Sequence, residues 1–140
     1  MILKFKVLEG GTLPIRAHRE DAGYDIYSPW SFCIKPHQNA SVRLGVCVEI
    51  PKGYTGLLLG RSSMNGKGII CMTGVIDSGY TGELRAMFFN ATNHHAIDIH
   101  KGERICQLVI VKLADIEKAE NAEKLESSER GAGGFGSTGV

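Results

Sequence analysis

The chain has 140 residues and a formal charge of +1, enough for one domain with a single core but without the basic stripe that nucleic-acid binders carry. No run of about 18 apolar residues occurs, and Met1-Ile2-Leu3-Lys4-Phe5-Lys6 sets charges where a signal peptide needs a long apolar centre. Nucleic acid and membrane are therefore excluded as expected partners, and a cytoplasmic or nuclear protein is expected.

Early in the chain, Ala22-Gly23-Tyr24-Asp25 places an acid after a small pair, where the backbone can turn tightly. Glycine numbers 18, above the usual share of about 7%, and many of these glycines punctuate short β-rich runs. The runs are Val42–Ile50, Thr55–Leu59, Gly68–Met72, Leu84–Asn90 and Ile105–Leu113. Short apolar runs at regular spacing predict an all-β sandwich or barrel. They do not alternate with helices, which disfavours a doubly wound fold. Asp115–Arg130 is rich in Glu, Ala and Lys, but Ile116, Ala119, Ala122 and Leu125 make only a thin stripe. It is expected to be a solvated connector with at most one helical turn.

The four cysteines, Cys33, Cys47, Cys71 and Cys106, form no C-x-x-C and sit among apolar neighbours, so reduced, buried thiols are expected. His94 and His95 are adjacent after the turn-like Asn90–Asn93 and are expected in solvent, with no metal pattern among the histidines.

Three segments combine chemistry with position. Gly60-Arg61-Ser62-Ser63 ends an apolar strand and puts one fixed cation and two hydroxyls at a loop mouth. Such a set suits phosphate oxygens, the arginine through its fork, although a surface turn with a solvated arginine reads the same way. Gly74-Val75-Ile76-Asp77-Ser78-Gly79-Tyr80 looks like a hairpin in which two apolar residues deliver Asp77 to the lip and Tyr80 begins the return strand. An aspartate held there could act as a general base or simply cap turn amides. Gln107 is the one amide in an apolar strand and must bond backbone locally or face a polar ligand.

The tail Gly131–Val140 holds five glycines and one aromatic, Phe135. Gly131-x-Gly133-x-x-Gly136 spells a dinucleotide fingerprint, but no strand precedes it and no helix can follow. The P-loop spacing from Gly131 fails too, because Ser137 stands where the lysine must be.

Taken in order, five segments resemble the motifs of the trimeric dUTPase family. They are Ala22-Gly23-Tyr24-Asp25-Ile26, Gly60-Arg61-Ser62-Ser63, Gly74–Glu83, Gly102-Glu103-Arg104-Ile105-Cys106-Gln107-Leu108 and Arg130–Gly139. The resemblance implies a distorted β jelly roll over residues 1–125 and a Gly-rich arm over 126–140 that closes a neighbouring active site, in a homotrimer. It implies Mg²⁺-dependent hydrolysis of dUTP to dUMP and pyrophosphate by in-line attack of water on the α-phosphorus. That reaction keeps uracil out of DNA and supplies dUMP for thymidylate synthesis.

By the same resemblance Asp77 is the general base, and Arg61, Gln107 and Arg130 complete the catalytic set. Gly74, Val75 and Ile76 read the uracil edge, Tyr80 packs under the deoxyribose, and Phe135 caps the base. Ser62, Ser63, Gly136, Ser137 and Thr138 meet the phosphates, with Arg85 approaching the nucleotide. Asp25 resembles the acid that touches Mg²⁺ through water. Cys71 stands where relatives carry an asparagine near the base. A dCTP deaminase on the same scaffold would need a deaminating acid and a different tail. A non-catalytic nucleotide-binding module would have little use for Asp77, Arg61, Tyr80 and the arm together.

Overall fold

The computed structural model describes residues 1–139, so Val140 at the end of the arm lies outside the described residues. The elements in chain order are β1 (Lys4–Val7), β2 (Gly23–Tyr27), β3 (Phe32–Ile34), β4 (Asn39–Glu49), β5 (Tyr54–Gly60), α1 (Ser62–Gly66), β6 (Ile69–Met72), β7 (Gly74–Ile76), β8 (Glu83–Asn90), β9 (Ile97–Ile99) and β10 (Arg104–Lys112). One sheet runs β1-β4-β8-β6, a second runs β2-β10-β5-β7, and β3 pairs with β9. The strand pairings are antiparallel. The all-β expectation holds, and each of the five predicted runs is a strand within a few residues of its expected bounds.

Alternation explains why. In β8, Leu84, Ala86 and Phe88 point inward while Arg85 and Met87 point out, the period-2 signature of a strand with one wet face. Leu58 from β5, Leu108 from β10 and Leu44 and Val46 from β4 meet these residues in one core, each 0% exposed. Asn90 closes β8 and is completely buried. It stays there because its amide donates to the carbonyls of Ile34 and His95 at 2.8 and 2.9 Å. Its oxygen accepts from the N–H and hydroxyl of Thr92 at 2.9 and 2.7 Å, so the buried amide is satisfied.

Two bulges bend this frame. In β4 the register shifts between Arg43 and Cys47, and Gly45 adopts φ +67°. A Cβ at Gly45 would lie 2.6 Å from the Gly11 Cα, so both the conformation and the close approach require glycine. Glu83, at the start of β8, accepts the Gly45 N–H at 3.0 Å and pairs with Arg43. The second bulge lies between Arg104 and Cys106 of β10. It sends two consecutive residues, Ile105 and Cys106, into the core and leaves Arg104 facing out.

The thiols are free, as expected, but only Cys71 and Cys106 are buried; Cys33 is exposed and Cys47 half-buried. Cys33 is the middle residue of a three-residue strand, so alternation turns it outward between Phe32 and Ile34. His94 and His95 are exposed. The connector forms no helix, and every residue from Leu113 to Arg130 is exposed. Its thin stripe buries nothing: Ile116 and Leu125 are 74% and 81% exposed. No helix among the described residues is long and apolar enough to cross a membrane.

Candidate functional site

A cleft of about 270 Å³ opens where β2, β10 and the β5–α1 junction meet. Asp21, Gly23, Asp25, Arg61, Ser62, Arg104 and Gln107 are among the residues that line it. The register of β2 on β10 puts Asp25 directly opposite Gln107, and Gln107 lies opposite Leu59 on β5. Gln107 donates to the Gly60 carbonyl at 2.9 Å, so the local backbone bond is made while the side chain still borders the cleft. A Cβ at Gly23 would lie 2.5 Å from the Gln107 Oε1 and would push that amide aside.

The carboxylate of Asp25 is only 14% exposed and takes two guanidinium groups. Arg61 Nε lies 2.9 Å from Oδ1, and Arg104 Nη1 lies 3.2 Å from Oδ2. Arg61 is held further by the Ser63 hydroxyl and the Arg104 carbonyl, at 3.2 and 3.3 Å. Ser62 and Ser63 do not sit in an open loop mouth as the sequence predicts; they form the first turn of α1. That helix has five residues and no side-chain cap, so it carries no sequence signal. Lys67 at its end pairs with Glu103, which also accepts the His100 N–H at 3.1 Å. Burial pushes the Glu103 carboxyl up, but Lys67 and the His100 amide outweigh it and hold it below its ordinary value.

The third motif is not the hairpin expected from the sequence. Gly74–Ile76 pair with Gly56–Leu58 of β5, whereas Glu83–Asn90 pair with β4 and β6 in the other sheet. The return strand starts at Glu83, and Tyr80 lies in the connecting turn, its N–H bonded to the Asp77 carbonyl at 3.0 Å. Tyr80 Oη donates to the Glu83 carbonyl at 2.9 Å. Its ring covers Gly82, where a Cβ would fall 2.7 Å from Oη. Asp77 is exposed just past the end of β7, an edge strand of its sheet.

One chain does not bring these two groups together. Ile76 pairs with Gly56, so Asp77 lies level with the start of β5, while Arg61 follows its end. Six strand residues separate the two levels, roughly 20 Å. Arg85 is also apart: it faces outward on β8 opposite Arg43, in the sheet that does not carry the cleft. Arg130, Phe135, Gly136, Ser137 and Thr138 lie in the exposed arm. The backbone bonds there are internal, such as Gly133 N–H to the Arg130 carbonyl at 3.0 Å.

Cys71 turns inward rather than toward a ligand, and its thiol meets that of Cys106. The hydrogen bond between them lowers Cys71 and, with burial, raises Cys106 well above the usual thiol range. Asp21 and Arg104 line the cleft without having been expected there, and Arg104 is the one that pairs with Asp25. The signal for Arg104 lies in the bulge, which a sequence does not display.

The dUTPase family model matches residues 9–139. The deoxyuridine 5'-triphosphate nucleotidohydrolase of Paramecium bursaria Chlorella virus 1 is 39% identical over 140 residues, covering 99% of this chain and 98% of its own. Among solved structures, a mutant dUTPase of Staphylococcus bacteriophage 80alpha with dUpNHpp superposes with TM-score 0.91 at 36% identity, covering 99% of each chain. A mutant dUTPase from phage phi11 of S. aureus, described with a coordinated structural Mg(II) ion, gives TM-score 0.84 at 30% identity, covering 91% of this chain and 100% of its own.

Proposed function

Since the chain belongs to the dUTPase family, we propose that it hydrolyses dUTP to dUMP and pyrophosphate in sites shared between copies of itself. The observation that carries the shared site is the separation of Asp77 from the Arg61 cleft by the length of β5. An in-line attack needs base, water and α-phosphorus within hydrogen-bonding reach of one another. A cleft from one copy must therefore meet the Asp77 turn of another. Self-association has a surface to use: Ile70, Met72 and Met87 are 47%, 43% and 40% exposed. They gather on one outer face, because Met72 pairs with Met87 across β6 and β8. The homotrimer of the family fits this requirement.

In this reading β7 is the uracil reader. Its outer edge has no strand partner among the described residues, so backbone groups of Gly74, Val75 and Ile76 can bond a planar base edge. Tyr80 packs under the deoxyribose and leaves no room for a 2′-hydroxyl, while Phe135 from an arm caps the base. Asp77 accepts the proton of the attacking water. Arg61, Ser62, Ser63 and Gln107 hold the phosphates from the cleft; Arg130, Gly136, Ser137 and Thr138 close over them from the arm.

Charge in the cleft supports both the arm and a metal ion. Its two arginines face two aspartates, so the lining is formally neutral against a highly anionic triphosphate. Further positive charge must come from elsewhere. No cluster of three His, Cys, Asp or Glu groups that could cage a metal occurs among the described residues. Asp25 alone fits an ion held by phosphate oxygens and water, which is what Mg²⁺ prefers. Asp25 would contact it through a water molecule, and the ion would neutralise charge on the phosphates.

Pyrophosphate release should appear with dUTP and Mg²⁺, fall sharply when the metal is chelated, and stay near background with dTTP, dCTP and UTP. Release from dTTP at the dUTP rate would overturn the uracil-reading role of β7. Gly82→Ala should separate a further element. A methyl group there displaces the Tyr80 ring, so the ratio of kcat/KM for dUTP over UTP should fall roughly tenfold or more. An unchanged ratio would remove Tyr80 from sugar discrimination.

A further inference from the structure

We infer that Arg104 is a positioning residue that holds Asp25 to a single contact with Arg61 and so keeps the Arg61 fork available to the triphosphate. The inference rests on the dUTPase reading and concerns the same cleft. Asp25 is mostly buried, and each of its oxygens has one guanidinium: Arg61 Nε at 2.9 Å on Oδ1 and Arg104 Nη1 at 3.2 Å on Oδ2. With Nε on Oδ1, Arg61 can still present its two Nη groups end-on to a phosphate, provided Asp25 takes no second N–H of the same guanidinium. Were Oδ2 to take a second N–H of Arg61, the cleft would lose that fork.

Arg104 prevents that loss. It occupies Oδ2 and fixes the aim of Asp25, whose carboxylate would meet the ion through water. Two features fix Arg104 for the task. The bulge between Arg104 and Cys106 turns its side chain out of the core toward β2, as bulges beside functional sites do. The preceding residue, Glu103, is tied to Lys67 at the end of α1, so the strand start carrying Arg104 is pinned to the helix carrying Ser62 and Ser63. Without Arg104, the Asp25 carboxylate is free to take both faces of Arg61 and withdraw that fork from the cleft.

The test is calorimetric titration with dUpNHpp over a range of Mg²⁺ concentrations. It compares wild type, Arg104→Gln, Arg104→Lys, Asp25→Asn and the double variant Arg104→Gln/Asp25→Asn. Losses for groups that orient a metal's surroundings are typically 10–100-fold. Arg104→Gln should weaken binding by about tenfold or more and raise the Mg²⁺ concentration for half-maximal binding. Arg104→Lys should restore most of the affinity, since the contact is a single N–H to Oδ2. In the Asp25→Asn background, Arg104→Gln should cost nothing further, because Arg104 acts through Asp25.

Full, additive loss in the double variant would overturn the inference and make Arg104 a direct phosphate ligand. A wild type that binds while Arg104→Gln matches it at every Mg²⁺ concentration overturns the inference alone. A wild type that binds no dUpNHpp overturns the dUTPase reading and this inference together.

Discussion

Asp77→Asn is expected to lower single-turnover pyrophosphate release from dUTP by about 10²–10⁴-fold, while dUpNHpp still binds with near wild-type affinity. Asparagine keeps the size and polarity of the side chain but cannot take the proton of the attacking water. The remaining rate then reports what positioning and charge neutralisation achieve without a base. Asp77 is exposed beyond an edge strand, so the substitution should change stability by no more than about 0.5 kcal/mol. A folded, dUpNHpp-binding Asp77→Asn protein with wild-type turnover would dismiss Asp77 as the base. Lost binding with unchanged chemistry at saturation would instead make the residue a substrate anchor.

How much of this was legible depended on whether a feature was periodic, sequential or spatial. Leu84, Ala86 and Phe88 lie in a short apolar run after Gly82, and strands of that kind are legible. By contrast β1, with Lys4 and Lys6 between its apolar residues, is not among the predicted runs. β3 and β9 have three residues each, too few for a period to register, and Cys33 was accordingly placed in the core. α1 lacks both length and a cap. The motifs around Asp77 and Arg61 could be recognised as strings, yet the partners of β7 and β8 could not. Their assignment to different sheets is decided by pairing with β5 and with β4 and β6. Tyr80 was for that reason expected on a strand when it lies in a turn. Arg104 illustrates the limit most clearly: one register shift in β10 converts a motif arginine into the partner of Asp25.

Removal of residues 126–140 should leave the melting temperature almost unchanged and reduce turnover of dUTP by about 10²–10³-fold. The two halves of that expectation have separate grounds. Side chains from Leu113 through Arg130 are exposed and add nothing to the sandwich core, so the fold does not depend on the segment. Catalysis does in the proposed reading, where Arg130 brings charge to the formally neutral cleft and Phe135 covers the uracil. Phe135 is fully exposed within its own chain, and an exposed aromatic among five glycines of the tail is best accounted for by a surface it covers on another copy. Complementation separates a shared site from a private one. The truncated chain keeps Asp77 but lacks an arm; full-length Asp77→Asn keeps the arm but lacks the base. Each alone should be nearly inactive. If arm and base come from different copies, co-assembled mixtures should recover activity, with about one quarter of sites complete for random equal mixing. If the arm folds over the Asp77 of its own chain, no mixture contains a complete site, and mixing should recover nothing.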